Sequence, residues 1–390
     1  MAGGDQANVV AVLLAPAAAA TVIRRCWDEG EAVAVLDPRA PAAALDRARA
    51  RLRPTHIVDR GGRRALPDGE PTVADVAAVV LTSGTTGAPR AVELTRAGRD
   101  AIGDGFAAAL GTTTSDRWLV CLPLHHVAGL AVLGRSVASG VPVVTHNGFD
   151  LDAVASSPAR EGTTIVSLVP TTLARLLDAG GDVARYRVVI VGGAPLPATL
   201  RERCESAGAH CVDTYGLSET WGGVLLDGAP IPGATVNLGH DGEILVGGAM
   251  VMRGYRFDPD ATASAFTADG QLRTGDLGRL EPDGRIRVMD RRRELIITGG
   301  VNVSPTAVEA VLSEHPAVAD VCVAGRPDAE WGERVVAYVV ARDPSEPPTV
   351  DALRAFARDR LSPAQLPRQV EAIAAIPRTP GGKTLRRQLP

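Results

Sequence analysis

The strongest constraint on the fold is a repeating alternation. Short β-branched apolar runs follow one another, most closed by a Gly- or Pro-containing turn and then an Ala/Arg-rich stretch of helical character. Strands alternating with helices predict a largely parallel sheet. Runs at 9–14, 31–36, 55–58 and 75–81 begin the series, and runs at 117–122, 141–144, 164–169, 188–191 and 210–213 continue it. From about Gly233 the texture changes. Gly-rich turns separate short runs at 243–246 and 285–289, and Asp283-Gly284 is a hairpin signal. After Arg291-Arg292-Arg293 comes a new unit, with helices expected at 305–313 and 350–360 and strands at 319–324, 334–341 and 370–374.

A chain of 390 residues exceeds one hydrophobic core. The expected fold class is therefore α/β. A large N-terminal domain, 1–290, holds mixed, mostly parallel sheets with flanking helices and a β-rich part from 233. A hinge at 291–293 leads to a small mobile α+β domain, 294–390.

Composition excludes several functions. A net charge of -4 argues against nucleic-acid binding, which normally shows a basic excess. The apolar stretch 7–23 is broken by Asn8 and Pro16, so neither a membrane span nor a signal peptide is expected. Five scattered cysteines, never spaced C-x-x-C, suit a reducing cytoplasm better than a disulfide or zinc framework. Of the 41 Lys and Arg residues, only position 383 is Lys. Arg offers a planar fork and Lys a compact charge on a flexible stem. A site that tolerates only the compact ammonium is one reason for the exception, and chance survival is the other.

Thr82-Ser83-Gly84-Thr85-Thr86-Gly87 follows an expected strand, with Arg90 just beyond. Such a loop can turn backbone N–H groups and hydroxyls toward phosphate oxygens. Gly382-Lys383-Thr384 is not a Walker A ending, because Pro377 stands where that motif needs glycine. No G-x-S-x-G elbow occurs either.

The run 81–92 resembles the phosphate-loop signature of the adenylate-forming superfamily of acyl-CoA synthetases, luciferases and peptide-synthetase adenylation domains. Further signatures follow in the family's order: Pro123-Leu124-His125-His126, Tyr215-Gly216-Leu217-Ser218-Glu219-Thr220, Thr274-Gly275-Asp276, a hinge-like stretch from Asp290, and Pro377 to Lys383. The resemblance implies ATP, Mg2+ and CoA as cofactors and a reaction in two halves. A small-molecule carboxylic acid attacks the ATP α-phosphate to give acyl-AMP and pyrophosphate, and a thiol then takes the acyl group and releases AMP.

The resemblance also implies roles. Lys383, Glu219 and His126 would be catalytic, Lys383 bridging the carboxylate and α-phosphate. Glu219, with Thr85, would hold the metal. The nucleotide would meet Thr82, Ser83, Gly84, Thr85, Thr86, Gly87, Arg90, the adenine-packing Gly193-Ala194-Pro195, Thr214, Tyr215, Gly216, Ser218, and Asp276 with Arg291 at the ribose. The acyl pocket would be lined by His126, Val127, Gly129, Leu168, Gly192, Leu217, Trp221 and Gly222. Trp221 shapes this pocket or packs in the core. Arg293 takes the hinge position.

Two positions depart from the usual pattern: Arg90 where a lysine-containing loop is common, and Val301 where an acidic residue is expected. The segment before the phosphate loop is short for the family. With the stretches 123–130 and 221–236, it resembles compact 2-succinylbenzoate–CoA ligases of menaquinone synthesis. Another aryl- or acyl-CoA ligase, or an enzyme loading a carrier-protein phosphopantetheine, is the alternative. A non-catalytic nucleotide-binding paralogue would have lost Glu219, Asp276, Arg291 and Lys383, which are all present. The expected protein is a monomer or homodimer, with no nucleic-acid or membrane partner.

Overall fold

The computed structural model describes residues 5–82, 89–291, 294–378 and 384–390. The chain forms two compact units, Met1–Asn237 with Leu245–Thr274, and Leu238–Ile244 with Gly275–Pro390.

The first unit contains two seven-stranded sheets. One is built on the parallel strands Val9–Val12, Ala32–Val35 and His56–Asp59. Val76–Leu81 joins it parallel through Val33 and Ala78. Gly62–Ala65 at one edge, and Ala91–Thr95 followed by Gly254–Tyr255 at the other, are antiparallel to their neighbours. The other sheet aligns Val143–Thr145, Trp118–Val120, Ile165–Leu168, Val188–Gly192 and Cys211–Leu217 in parallel. Gly222–Leu226 then returns antiparallel to Cys211–Leu217. Leu119, Val166, Val189 and Val191 from this sheet pack with Leu173, Leu176 and Leu200 of the covering helices. The site segments leave these strands at their carboxyl ends, where open α/β sheets bind ligands.

The second unit includes the pairing of Leu272–Leu280 with Ile286–Arg291, turning at Gly284 with φ +82°. Its other sheet sets Val318–Asp328 against Gly332–Ala341, with Gln369–Ala372 parallel beside the latter. Val308, Leu312, Leu353 and Ala357, on helices Pro305–Leu312 and Val350–Ala357, close one face of its core. Among the described residues no helix is long and apolar enough to cross a membrane.

Candidate active site

The phosphate loop is held at its base. Thr82 N–H donates to the Arg90 carbonyl at 2.9 Å, which sets the two ends of the segment side by side. Ser83, Gly84, Thr85, Thr86 and Gly87 lie outside the described residues. Beyond the loop, the Arg90 guanidinium sits 4.9 Å from the centre of the Tyr255 ring.

Glu219 is presented by a tight reversal. The strand Cys211–Leu217 shifts register between Tyr215 and Gly216. A Cβ at Gly216 would lie 1.7 Å from the Gly222 carbonyl oxygen, so only glycine fits there. The 3-10 turn Ser218–Thr220 follows. The fully buried Thr220 hydroxyl accepts from Leu217 N–H at 3.0 Å and lies 2.7 Å from the Gly222 carbonyl. Trp221, at φ +54°, completes the reversal. It is fully buried, donates through Nε1 to the Thr95 carbonyl at 3.0 Å, and meets Trp27 edge-on. Of its two sequence readings, this geometry supports core packing.

Ser218 and Glu219 remain half-exposed. The Tyr255 hydroxyl donates to Glu219 Oε1 at 2.9 Å. Among the described residues no Arg or His pairs with Glu219, and no three His, Cys, Asp or Glu side chains gather into a metal cage. A lone carboxylate with a neutral donor on one oxygen fits Mg2+, which usually takes one or two carboxylates plus phosphate oxygens and water.

Gly192 pairs with Thr214 across parallel strands. A Cβ at Gly192 would lie 2.6 Å from Thr214 Cγ2. Gly193 (φ +81°) and Pro195 are exposed and Ala194 half-buried, which leaves backbone open to a flat group. Tyr215 is half-buried beside them. Asp213, one residue before Thr214, went unnoticed in the sequence. Burial pushes its carboxyl up to about 6, against the pull of Arg201. The signal was an acidic residue directly after the apolar pair Cys211-Val212 of a strand.

His126 occupies the N-cap of helix Val127–Ser139. Burial, and then His125 with its ring 4.4 Å away, pull His126 down to about 4, so it is neutral at pH 7. Gly129 lets the helix close on the preceding loop, since a Cβ there would lie 2.5 Å from the Pro123 carbonyl. Val127, Leu217 and Gly222 are half-buried. Leu168 is corrected. It is 1% exposed and belongs to the apolar cluster around Leu119 and Val191, so it supports the sheet rather than lining a surface.

One group on this helix was missed outright. Arg135 is 4% exposed and stacks 3.5 Å above the Phe106 ring centre. No carboxylate among the described residues pairs with it, and its Nε has no hydrogen-bond partner. Burial pulls the guanidinium down to about 9. Its Nη2 lies 3.8 Å from where a Cβ on Gly222 would sit, beside the chain that has just left Glu219.

In the second unit Asp276 is buried and lies opposite Arg291 in the hairpin, with Arg291 Nε 3.0 Å from Asp276 Oδ1. The two expected ribose contacts are thus brought together. Arg293 and Lys383 lie outside the described residues. Arg386, three positions beyond Lys383, donates to Glu294 at 2.6 Å and to both Glu309 oxygens at 2.8 and 2.9 Å.

Residues 1–256 match the AMP-binding enzyme family, and residues 307–383 match the AMP-binding enzyme C-terminal domain. The chain is 40% identical over 337 residues to the probable 2-succinylbenzoate–CoA ligase of Mycobacterium tuberculosis (strain H37Rv), covering 83% of this chain and 86% of that protein. It is 35% identical over 335 residues to 2-succinylbenzoate–CoA ligase of Bacillus subtilis (strain 168), covering 80% and 68%. Among solved structures, the o-succinylbenzoate CoA synthetase of Bacillus subtilis with its acyl-adenylate intermediate matches with a TM-score of 0.86 at 30% identity, over 98% of this chain and 87% of that one. The ordered motifs, the paired Asp276 and Arg291, the Glu219 turn and these matches lead to one conclusion: the chain belongs to the AMP-binding enzyme family.

Proposed function

We propose that this chain is an ATP-dependent acid–CoA ligase that activates 2-succinylbenzoate through an acyl-AMP. The family and the names of the relatives support the reaction class. Arg135 carries the substrate reading. An unpaired charge inside a protein is strongly unfavourable, and a partner carboxylate in good geometry offsets that cost. 2-Succinylbenzoate has two carboxylates. One must be free to react, and the other can meet Arg135.

In this reading Glu219, with Thr85, holds magnesium, which when bound neutralises charge between phosphate groups. Asp276 accepts from the ribose hydroxyls and Arg291 orients it. Lys383 neutralises the anions that approach each other as the acyl–phosphate bond forms. This preorganised charge favours the transition state over the ground state. His126, uncharged, stands at the acyl entrance without adding charge there. Arg293 is the hinge between the two half-reactions. ATP and CoA are cytoplasmic metabolites, and the five cysteines are free and buried, so we place the enzyme in the cytoplasm.

The test is ATP–pyrophosphate exchange with 2-succinylbenzoate and with 3-benzoylpropanoate, which lacks the ring carboxylate, followed by addition of CoA. Exchange should be strong with the diacid and weak with the monoacid, and CoA should yield a thioester. Arg135→Met should cost on the order of 100-fold with the diacid and little with the monoacid. Absence of exchange with the diacid refutes the proposal.

A further inference from the structure

Tyr255 makes the one side-chain hydrogen bond that Glu219 has among the described residues. Its backbone is fixed from three directions. Gly254–Tyr255 pairs with Val92 and Glu93 of the strand that leaves the phosphate loop. Tyr255 N–H donates to Thr262 Oγ1 at 2.9 Å. Three residues earlier, Met252 N–H donates to the Glu219 carbonyl at 2.7 Å. The phenol is thereby held on a short segment tied both to the Glu219 turn and to the strand beyond Arg90. The Arg90 guanidinium lies over the face of the same ring.

The geometry points to Tyr255 as a positioning residue for the metal. It occupies Glu219 Oε1, fixes the carboxylate plane, and leaves Oε2 as the oxygen that would hold a divalent cation. The inference rests on the reading of Glu219 as the metal ligand. A donor that pins one oxygen restricts the carboxylate rotation that metal binding would otherwise have to freeze. Partners of this kind, one step removed from a metal, typically change metal affinity by about 10- to 100-fold.

The test replaces Tyr255 with Phe, which keeps the ring under Arg90 and removes only the hydroxyl. Mn2+ serves as the probe, its enzyme-bound fraction followed by electron paramagnetic resonance in the presence of ATP and without acid. Tyr255→Phe should weaken enzyme-bound Mn2+ by about 10- to 100-fold, with metal-free ATP affinity and melting temperature close to those of the parent. Unchanged or tighter Mn2+ binding overturns the proposal, since tighter binding means that the phenol competes with the cation. An equal loss of metal-free ATP affinity also overturns it, because the role is then structural. Glu219→Gln separates the two readings. If it binds Mn2+ like the parent, the ligand role of Glu219 fails. If it loses Mn2+ while Tyr255→Phe does not, only the role of Tyr255 fails.

Discussion

Arg135, buried, and Asp213 and His126, half-buried, are titratable groups whose protonation desolvation perturbs, each with a different consequence. Arg135 stays charged at neutral pH and calls for an anion. His126, pulled down to about 4, becomes neutral. Asp213, pushed up to about 6, is ionised at pH 8 against the cost of burial. A raised acid contributes stability that is full below its unfolded value, 3.8, and lost as pH rises through about 6. Asp213→Asn should therefore stabilise the chain at pH 8, by on the order of 2 kcal/mol, and the gain should vanish near pH 4. Melting curves of the two proteins at both pH values check this, and His126 cancels because both contain it. A gain of equal size at the two pH values contradicts the assignment. These residues also show what was legible in the sequence. Lys383 stands out because it is the only lysine, and Glu219 and Asp276 because ordered motifs frame them. Arg135 is one of 40 arginines by count, and only its burial on Phe106 distinguishes it.

Among the elements, the parallel strands were legible because they are continuous apolar runs. Antiparallel edges were not. Gly62–Ala65 is exposed along its whole length and has no apolar pattern to find. Cys211–Leu217 runs on through the Tyr215-Gly216 motif because Gly216 admits the Gly222 carbonyl, a close approach that strand propensity does not report. The turn after it depends on Trp221. Trp221→Ala should cost about 3–5 kcal/mol, while the ranking of acids of increasing size stays as in the parent. Urea unfolding and pyrophosphate exchange measure the two effects, and a re-ordered acid profile would return Trp221 to the pocket. In the second unit Arg386 neutralises Glu309 and Glu294. Arg386→Met leaves the half-buried Glu309 with the Val323 N–H as its remaining donor, at about 3 kcal/mol. Hydrogen exchange should show the loss in helix Pro305–Leu312 and strand Val318–Asp328 and spare the sheets of the first unit. Uniform loosening of both units would contradict this localisation.

On the scale of the whole molecule, the candidate chemistry is divided along the sequence. Arg90, His126, Arg135 and Glu219 belong to the first unit, and Asp276, Arg291 and Lys383 to the second. A ligase with two half-reactions can use this division if the second unit supplies Lys383 to the first step only. Lys383→Ala should then lower pyrophosphate exchange by roughly 100- to 1000-fold, while thioester formation from supplied acyl-AMP and CoA persists. Arg293→Pro should separate the steps differently. Proline fixes φ and removes the rotation that a hinge must absorb, so one half-reaction survives and the other is lost along with overall turnover. Stopped-flow assays of each half-reaction on the two variants distinguish the possibilities. Equal loss of both steps in Lys383→Ala would mean that the lysine supports the fold or a shared binding step. Two intact half-reactions in Arg293→Pro would move the hinge away from 293. The two variants together separate a side chain that serves one step from a hinge on which passage between the steps depends.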